Sequence, residues 1–205
     1  MNFSYENQKN TLLIISNILD KLSFKKKCQM GFGLFLGCIR QGSLNTSINN
    51  WDDLDFNVLA SDWEELVEIV IPELLRSGFI CLHSFINTYG DVSEITLSYG
   101  EDRIDFHKNY ELSNGYLHYA WYGGIELGKI MKSEYFLETK EYIIDGLKFF
   151  GPSKSIDYLI DLYGESWQIP CKSENEYKFW EDSPGIPWTF RKKGEKILRG
   201  EYRVK

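Results

Sequence analysis

Histidine is scarce in this chain: His83, His107 and His118 are spread over 205 residues. They cluster neither with one another nor with cysteine, which argues against a zinc centre of Cys/His type. The four cysteines, Cys28, Cys38, Cys81 and Cys171, form no C-x-x-C pair. They read as free thiols of a reducing compartment rather than as a disulfide framework. No run approaches the ~20 apolar residues that a membrane-spanning helix needs. Residues 1–10 are polar and lack the basic-then-apolar order of a signal peptide. Repeats, low-complexity tracts and linkers are also missing. These absences point to a cytoplasmic protein built as one compact unit.

What is present supports a folded core. Hydrophobic residues make up 43% of the chain and aromatic residues 16%, too much for global disorder. The net charge of −7 is uneven, because residues 191–205 hold seven of the 23 Lys/Arg but two of the 30 Asp/Glu. The remaining body is strongly acidic, which argues against wide nucleic-acid contact. The basic tail reads first as a solvated end. Its other use would be peripheral contact with phosphates or the anionic inner membrane surface.

Apolar residues Leu12, Ile15, Ile18, Leu19 and Leu22 recur at helical spacing across residues 11–24. A glycine-punctuated apolar run follows over 30–40, then a polar, turn-rich stretch over 42–50. Residues 53–59 read as a strand. Ser61 and Glu64 have capping-box form, so a helix is expected to about Ser77, kinked at Pro72 and closed by Gly78. Short strands are expected over 79–84, 94–99 and 103–107, the last two joined as a hairpin across Tyr99-Gly100-Glu101-Asp102. Residues 116–129 are rich in aromatics and glycine and are assigned to no element. A hairpin turning at Asp145-Gly146 and a helix from Ser155 to Leu162, ended by Gly164, follow. Residues 167–187 read as loop, with a short helix near 174–180. The fold expected is α/β, a mixed sheet flanked by helices. Its catalytic domain would span 1–170, and 171–205 would form an irregular C-terminal extension packed on it.

Three stretches carry chemistry. In Trp51-Asp52-Asp53-Leu54-Asp55-Phe56, Asp53 and Asp55 stand at i, i+2 and share one face of a strand, while Leu54 and Phe56 share the other. Two adjacent carboxylates repel unless a cation lies between them, and hard divalent ions such as Mg²⁺ or Mn²⁺ take oxygen ligands. An isolated D-x-D is more often a solvated turn, so its neighbours matter. Upstream, Gly33-Leu34-Phe35-Leu36-Gly37-Cys38-Ile39-Arg40 leaves backbone bare at two glycines and offers a guanidinium for phosphate oxygens. Downstream, Arg103-Ile104-Asp105-Phe106-His107 alternates cleanly. Asp105 could complete an oxygen-rich site with Asp53 and Asp55, able to hold one or two metal ions. The plainer reading of Asp105 is an edge-strand charge paired with Arg103 or Lys108. For His107, a polar strand residue without chemical role is the better reading. Trp121, Tyr122, Trp167, Trp180 and Trp188 could stack on sugars or bases, but packing is the commoner fate of such rings.

This order of glycine-rich turn with Arg, D-x-D strand and later lone Asp resembles the nucleotidyltransferase fold. More closely it resembles the LicD family, whose relatives include fukutin and fukutin-related protein. Gly33 to Arg40 matches both glycines, Leu36 and the Arg of the family pattern G-T-L-L-G-x-x-R. Trp51 to Asp55 echoes W-D-D-D/H-x-D, and Ile104-Asp105-Phe106 echoes the later hydrophobic-Asp-hydrophobic strand. Gly146, Pro152 and Tyr163-Gly164, with Trp167 after, follow the family's C-terminal order. The likeness covers roughly residues 12–170. The chain departs in three places: a longer loop between Arg40 and Trp51, an acidic run shorter by one residue, and Leu34 where the family has threonine. The shorter run leaves Asp52 as a reserve ligand.

The resemblance implies a phosphotransferase that moves a phospho-alcohol, such as phosphocholine or ribitol phosphate, from a CDP-linked donor to a glycan hydroxyl, releasing CMP. It implies Mg²⁺ or Mn²⁺ on Asp53 and Asp55, with Asp105 completing the site and placed to draw the acceptor's proton. Gly33, Gly37 and Arg40 would then serve the donor phosphates. Two other readings stay open. One is a nucleotidyltransferase that attaches a nucleotide to a small molecule, RNA or protein and releases pyrophosphate. The other is a catalytically inactive binding module of the same fold, against which the three retained aspartates weigh.

Overall fold

Leu12, Ile15, Ile18 and Leu19 are buried along one side of helix α1 (Tyr5–Lys21), as their 3.6-residue spacing requires. The computed structural model describes residues 5–43, 53–87, 90–113, 115–122, 125–169, 189–190 and 195–198. Helix α1 ends where Ser23 takes a left-handed backbone, φ +56°. A 3₁₀ turn, Lys25–Lys27, then leads into strand β1 (Cys28–Met30) and helix α2 (Phe32–Gln41). The acidic motif is strand β2 (Asp53–Leu59), with the expected boundaries. Asp52, and the loop expected over 42–50 beyond residue 43, lie outside the described residues, as does the short helix expected near 174–180.

The helix expected from Ser61 starts slightly earlier and is not uniform. A 3₁₀ turn, Ala60–Asp62, runs into α3 (Trp63–Glu65), a π turn (Leu66–Val70) and α4 (Ile71–Arg76). Ser61 thus lies inside the first turn, and neither Leu59 nor Asp62 makes a side-chain cap. The irregularity expected at Pro72 takes the form of the π turn just before it. Pro72 lacks an N–H and its ring crowds the carbonyl four residues back, and a wider turn there relieves the clash. Gly78, φ +97°, closes the helix.

Five strands follow: β3 (Ile80–Ile86), β4 (Val92–Tyr99), β5 (Asp102–Leu112), β6 (Gly115–Tyr122) and β7 (Ile125–Met131). The last two account for the unassigned stretch over 116–129: they pair antiparallel as a hairpin. A short helix α5 (Glu134–Leu137) leads to strands β8 (Thr139–Ile144) and β9 (Leu147–Pro152). Asp145 and Gly146, at φ +54° and +79°, make the positive-φ turn that suits a two-residue hairpin. Helix α6 (Ser155–Tyr163) ends at Gly164 as expected. From the C-terminal extension, β10 (Thr189–Phe190) joins β7 and β11 (Glu195–Leu198) joins β3.

The described strands form one mixed sheet flanked by helices, an α/β fold. At its centre β2 pairs antiparallel with β1 on one side and parallel with β5 on the other. β5 in turn pairs antiparallel with β4, then with β6 further along. One side of these strands is apolar: Phe56 stacks on Phe106 at 5.6 Å between ring centroids and lies 5.8 Å from Phe149. Helices α1 and α4 cover that side. Thr11 of α1 donates to Asp102 of β5, and Lys21 of α1 meets Glu73 of α4 at 2.7 Å. Helices α2 and α6 lie on the opposite side, where Phe32 meets the His107 ring and Tyr158 bonds to Asn57. Among the described residues no helix is long and apolar enough to cross a membrane.

Candidate functional site

The pleat of β2 sends Asp53, Asp55 and Asn57 to the side that α2 covers, and Leu54, Phe56 and Val58 to the other. The parallel register sets Asp53 opposite Arg103, Asp55 opposite Asp105 and Asn57 opposite His107. The hairpin register sets Ser98 opposite Arg103, Thr96 opposite Asp105 and Glu94 opposite His107. The result is a grid of polar side chains, three strands wide, in the middle of the sheet. Gly100, φ +61°, makes the turn that fixes the β4–β5 half of it.

The grid is buried. Asp55, Asp105, Glu94 and His107 are 7%, 3%, 2% and 5% exposed. Asp53 and Arg103 stand at its mouth, with side chains 35% and 39% exposed. His107 bridges two carboxylates: its Nε2 lies 3.1 Å from Asp55 Oδ1 and its Nδ1 3.5 Å from Glu94 Oε2. Thr96 donates to Asp105 Oδ1 at 2.6 Å. Arg103 Nη2 lies 3.0 Å from Asp105 Oδ2 and 3.9 Å from Glu94, and its Nε lies 3.7 Å from Asp53. The Phe32 ring, at 5.0 Å, meets the His107 ring edge-on.

Charge does not balance within this group. Asp53, Asp55, Glu94 and Asp105 carry four negative charges when ionised, against one each on Arg103 and protonated His107. Two negative charges are left over with His107 protonated, and three with it neutral. Burial raises the carboxyls of Asp55 and Glu94 above their usual range, although the His107 ring beside them pulls both back. For His107, burial acts to lower the imidazole, but Asp55 and Glu94 outweigh it and push it up to about 10. For Arg103, burial likewise acts downward and is outweighed by Asp105, Asp53 and Glu94. In the metal-free protein the imidazolium therefore acts as the cation that the buried carboxylates need.

Three of these residues could hold a metal ion. Ligand atoms of Asp55, Asp105 and His107 all lie within 4.8 Å of one another. Ligands ~2.1 Å from a common ion stand up to ~4.2 Å apart, so the three atoms are close to a first coordination shell. Two carboxylate oxygens and one imidazole nitrogen form a donor set that divalent transition ions accept.

Each residue expected from the sequence now has a place. Asp55 and Asp105 meet as neighbours in register. Asp105 does pair with Arg103, but on an inner strand rather than at an edge. Asp53 shares their face but stays at the mouth, beside Arg103. Gly33 lies in the first turn of α2, where backbone N–H groups have no partner within the helix. Gly31 just before it donates its N–H to the Asp55 carbonyl at 2.9 Å. Gly37 lies a turn deeper and is buried, so its N–H is used inside the helix. Arg40 sits in the last turn, and its Nη1 donates to the Trp167 carbonyl at 3.2 Å. The guanidinium that does meet the carboxylates is that of Arg103.

His107 and Glu94 are the residues that sequence reasoning passed over. The signal was available: a turn joining Tyr99 to Asp102 sets Glu94 opposite His107 by counting back along both strands. No family model matches the chain, and no curated protein matches it.

Proposed function

We propose that the protein is a metal-dependent phosphotransferase that moves a phospho-alcohol from a CDP-linked donor to a sugar hydroxyl of a glycan, with CMP as leaving group. The observation that carries this reading is the register of Asp55 against Asp105 on parallel neighbouring strands, beside the first turn of a helix. This juxtaposition supports the reading implied by the likeness to the LicD family and the nucleotidyltransferase fold, in which a D-x-D strand and a later lone Asp share one site. A divalent ion held there would draw charge from the donor's diphosphate and hold it for in-line attack.

The residues divide the work by position. Asp55 and Asp105 hold the ion, from the buried part of the grid. Asp105 is oriented by Thr96 and Arg103, which fix its carboxylate in one rotamer. Arg103, at the mouth, meets the incoming phosphates with its planar donors, and Asp53 keeps the guanidinium aimed. The first turn of α2, through the N–H groups around Gly33, gives a second set of donors for phosphate oxygen. Asp105 also takes the proton of the attacking hydroxyl, as a carboxylate within reach of the acceptor can. The basic segment 191–205 supports a contact with an anionic membrane surface, where glycan acceptors are assembled.

The test is product analysis. The protein is mixed with CDP-choline, CDP-ribitol or CDP-glycerol, a divalent metal and an acceptor glycan. Release of CMP together with a new phosphodiester on the acceptor supports the proposal. Pyrophosphate from a nucleoside triphosphate, with nucleotide joined to the acceptor, would instead make the protein a nucleotidyltransferase using the same carboxylates. Asp55→Asn and Asp105→Asn proteins that release CMP at the parental rate would remove the metal site from the account.

A further inference from the structure

We infer that His107 is itself a ligand of the metal, through Nε2, that Glu94 positions it through Nδ1, and that this nitrogen makes the site select first-row transition ions over Mg²⁺. The inference rests on the metal site proposed above and deepens it, because a site of aspartates alone would carry no such preference.

Geometry places the ring for this role. His107 is fixed on three sides: Phe32 packs against its ring at 5.0 Å, Glu94 faces Nδ1 at 3.5 Å, and Asp55 faces Nε2 at 3.1 Å. Nε2 thus points toward Asp55, in the group that also contains Asp105. A carboxylate behind the distal nitrogen of a histidine is the usual support of a metal-bound imidazole: it fixes the tautomer and raises the basicity of the other nitrogen. Glu94 is the best-buried carboxylate of the grid, so it is a poor partner for solvent and a good one for this N–H. In the metal-free protein Nε2–H donates to Asp55. On ligation the Nε2 proton leaves to solvent, the lone pair goes to the ion, and the Nδ1 proton stays on the ring, facing Glu94 at 3.5 Å.

The ion's identity follows from the nitrogen. Mg²⁺ prefers oxygen ligands in a near-ideal octahedron and keeps several waters. Imidazole adds affinity for transition ions along the Mn²⁺ to Cu²⁺ series and adds little for Mg²⁺. A buried donor set of two carboxylates and one fixed imidazole therefore favours Mn²⁺ and the ions above it.

The experiment uses the intact protein with Mn²⁺ as probe. Pulsed EPR of bound Mn²⁺ reads a directly coordinated ¹⁴N, and competition with Mg²⁺ reads selectivity. The parent should show ¹⁴N coupling that survives His83→Asn and His118→Asn. His107→Gln should lose the coupling and weaken Mn²⁺ at least ~10- to 100-fold, with a change of under ~3-fold for Mg²⁺. Glu94→Gln should keep the coupling and weaken Mn²⁺ ~10-fold. Bound Mn²⁺ without ¹⁴N coupling in the parent overturns the inference, even if His107→Gln does not fold. Equal losses for Mn²⁺ and Mg²⁺ in His107→Gln overturn it too. If Mn²⁺ binds without nitrogen but is lost in Asp105→Asn, only this inference fails. If Asp105→Asn leaves Mn²⁺ binding unchanged, the metal site proposed above fails with it.

Discussion

The two faces of strands β4, β5 and β2 are almost equally dry and chemically opposite. Ile95, Leu97, Ile104, Phe106, Leu54, Phe56 and Val58 line one face, and all are buried. Glu94, Thr96, Asp105, His107, Asp55 and Asn57 line the other, and all are buried too. The apolar face gains free energy from leaving water, ~1.5–3 kcal/mol for each large side chain. The carboxylates of the polar face lose hydration and recover it only through His107, Arg103 and Thr96. One set of strands thus supplies the stability that lets the same strands hold a costly cluster of like charges on their reverse. The difference teaches where to look for function: at buried groups whose charges do not balance among themselves.

The comparison breaks most sharply under substitution. Asp55→Asn and Asp105→Asn should each lower CMP release on the order of 10³-fold or more, read by product chromatography, while the fold persists by circular dichroism. Phe56→Ala should do the reverse. It opens a cavity between Phe106 and Phe149 and costs ~3–5 kcal/mol in denaturant unfolding, with residual activity tracking the folded fraction. If the two aspartate variants unfold as readily as Phe56→Ala, the division between the faces is wrong.

A pH series sharpens it further. His107 is raised above its ordinary value to about 10, and Asp55 and Glu94 are raised as well. In each case the folded state binds the proton more tightly, so stability falls as pH rises between the unfolded and folded values. His107's contribution is fully present below pH ~6.5 and lost as pH climbs through about 10. The melting temperature of metal-free protein should therefore drop over that window, and His107→Gln should flatten the drop. Mn²⁺ should oppose it, because ligation replaces the proton. The smallest effect belongs to Asp53. Asp53→Asn should weaken Mn²⁺ only ~3-fold in a calorimetric titration, since partly exposed charges contribute little. A loss as large as that of Asp55→Asn would make the mouth a full part of the metal shell.

Local pattern made much of this legible. Period-2 alternation placed Asp53 and Asp55 together and set Asp105 apart from Ile104 and Phe106. Glycine signals marked the turns at Gly100, Gly146 and Gly164 because positive φ excludes most other residues. What stayed hidden depends on distant chain segments. Nothing local states that β2 and β5 run parallel with Asp55 beside Asp105, and this parallel register pairs residues fifty positions apart in the sequence. Arg40 fitted a phosphate-binding motif by spacing, yet helix length carries it ~12 Å along α2 from Phe32, to the Trp167 carbonyl. His107 looked ordinary by composition alone. Its meaning came from Glu94, which counts to the opposite position only once the hairpin is drawn. Residues 116–129 were hard to assign because β6 mixes aromatic, polar and small residues, while β7 is interrupted by Gly128.

The most direct test of the account is an anomalous-scattering map from crystals of the intact protein grown with Mn²⁺ and a cytidine nucleotide. One Mn²⁺ peak is expected ~2.0–2.3 Å from a carboxylate oxygen of Asp55, one of Asp105 and Nε2 of His107, with the nucleotide's phosphates on the side of Asp53 and Arg103. A map at saturating Mn²⁺ with no peak there, and His107 still bridging Asp55 and Glu94, would contradict it.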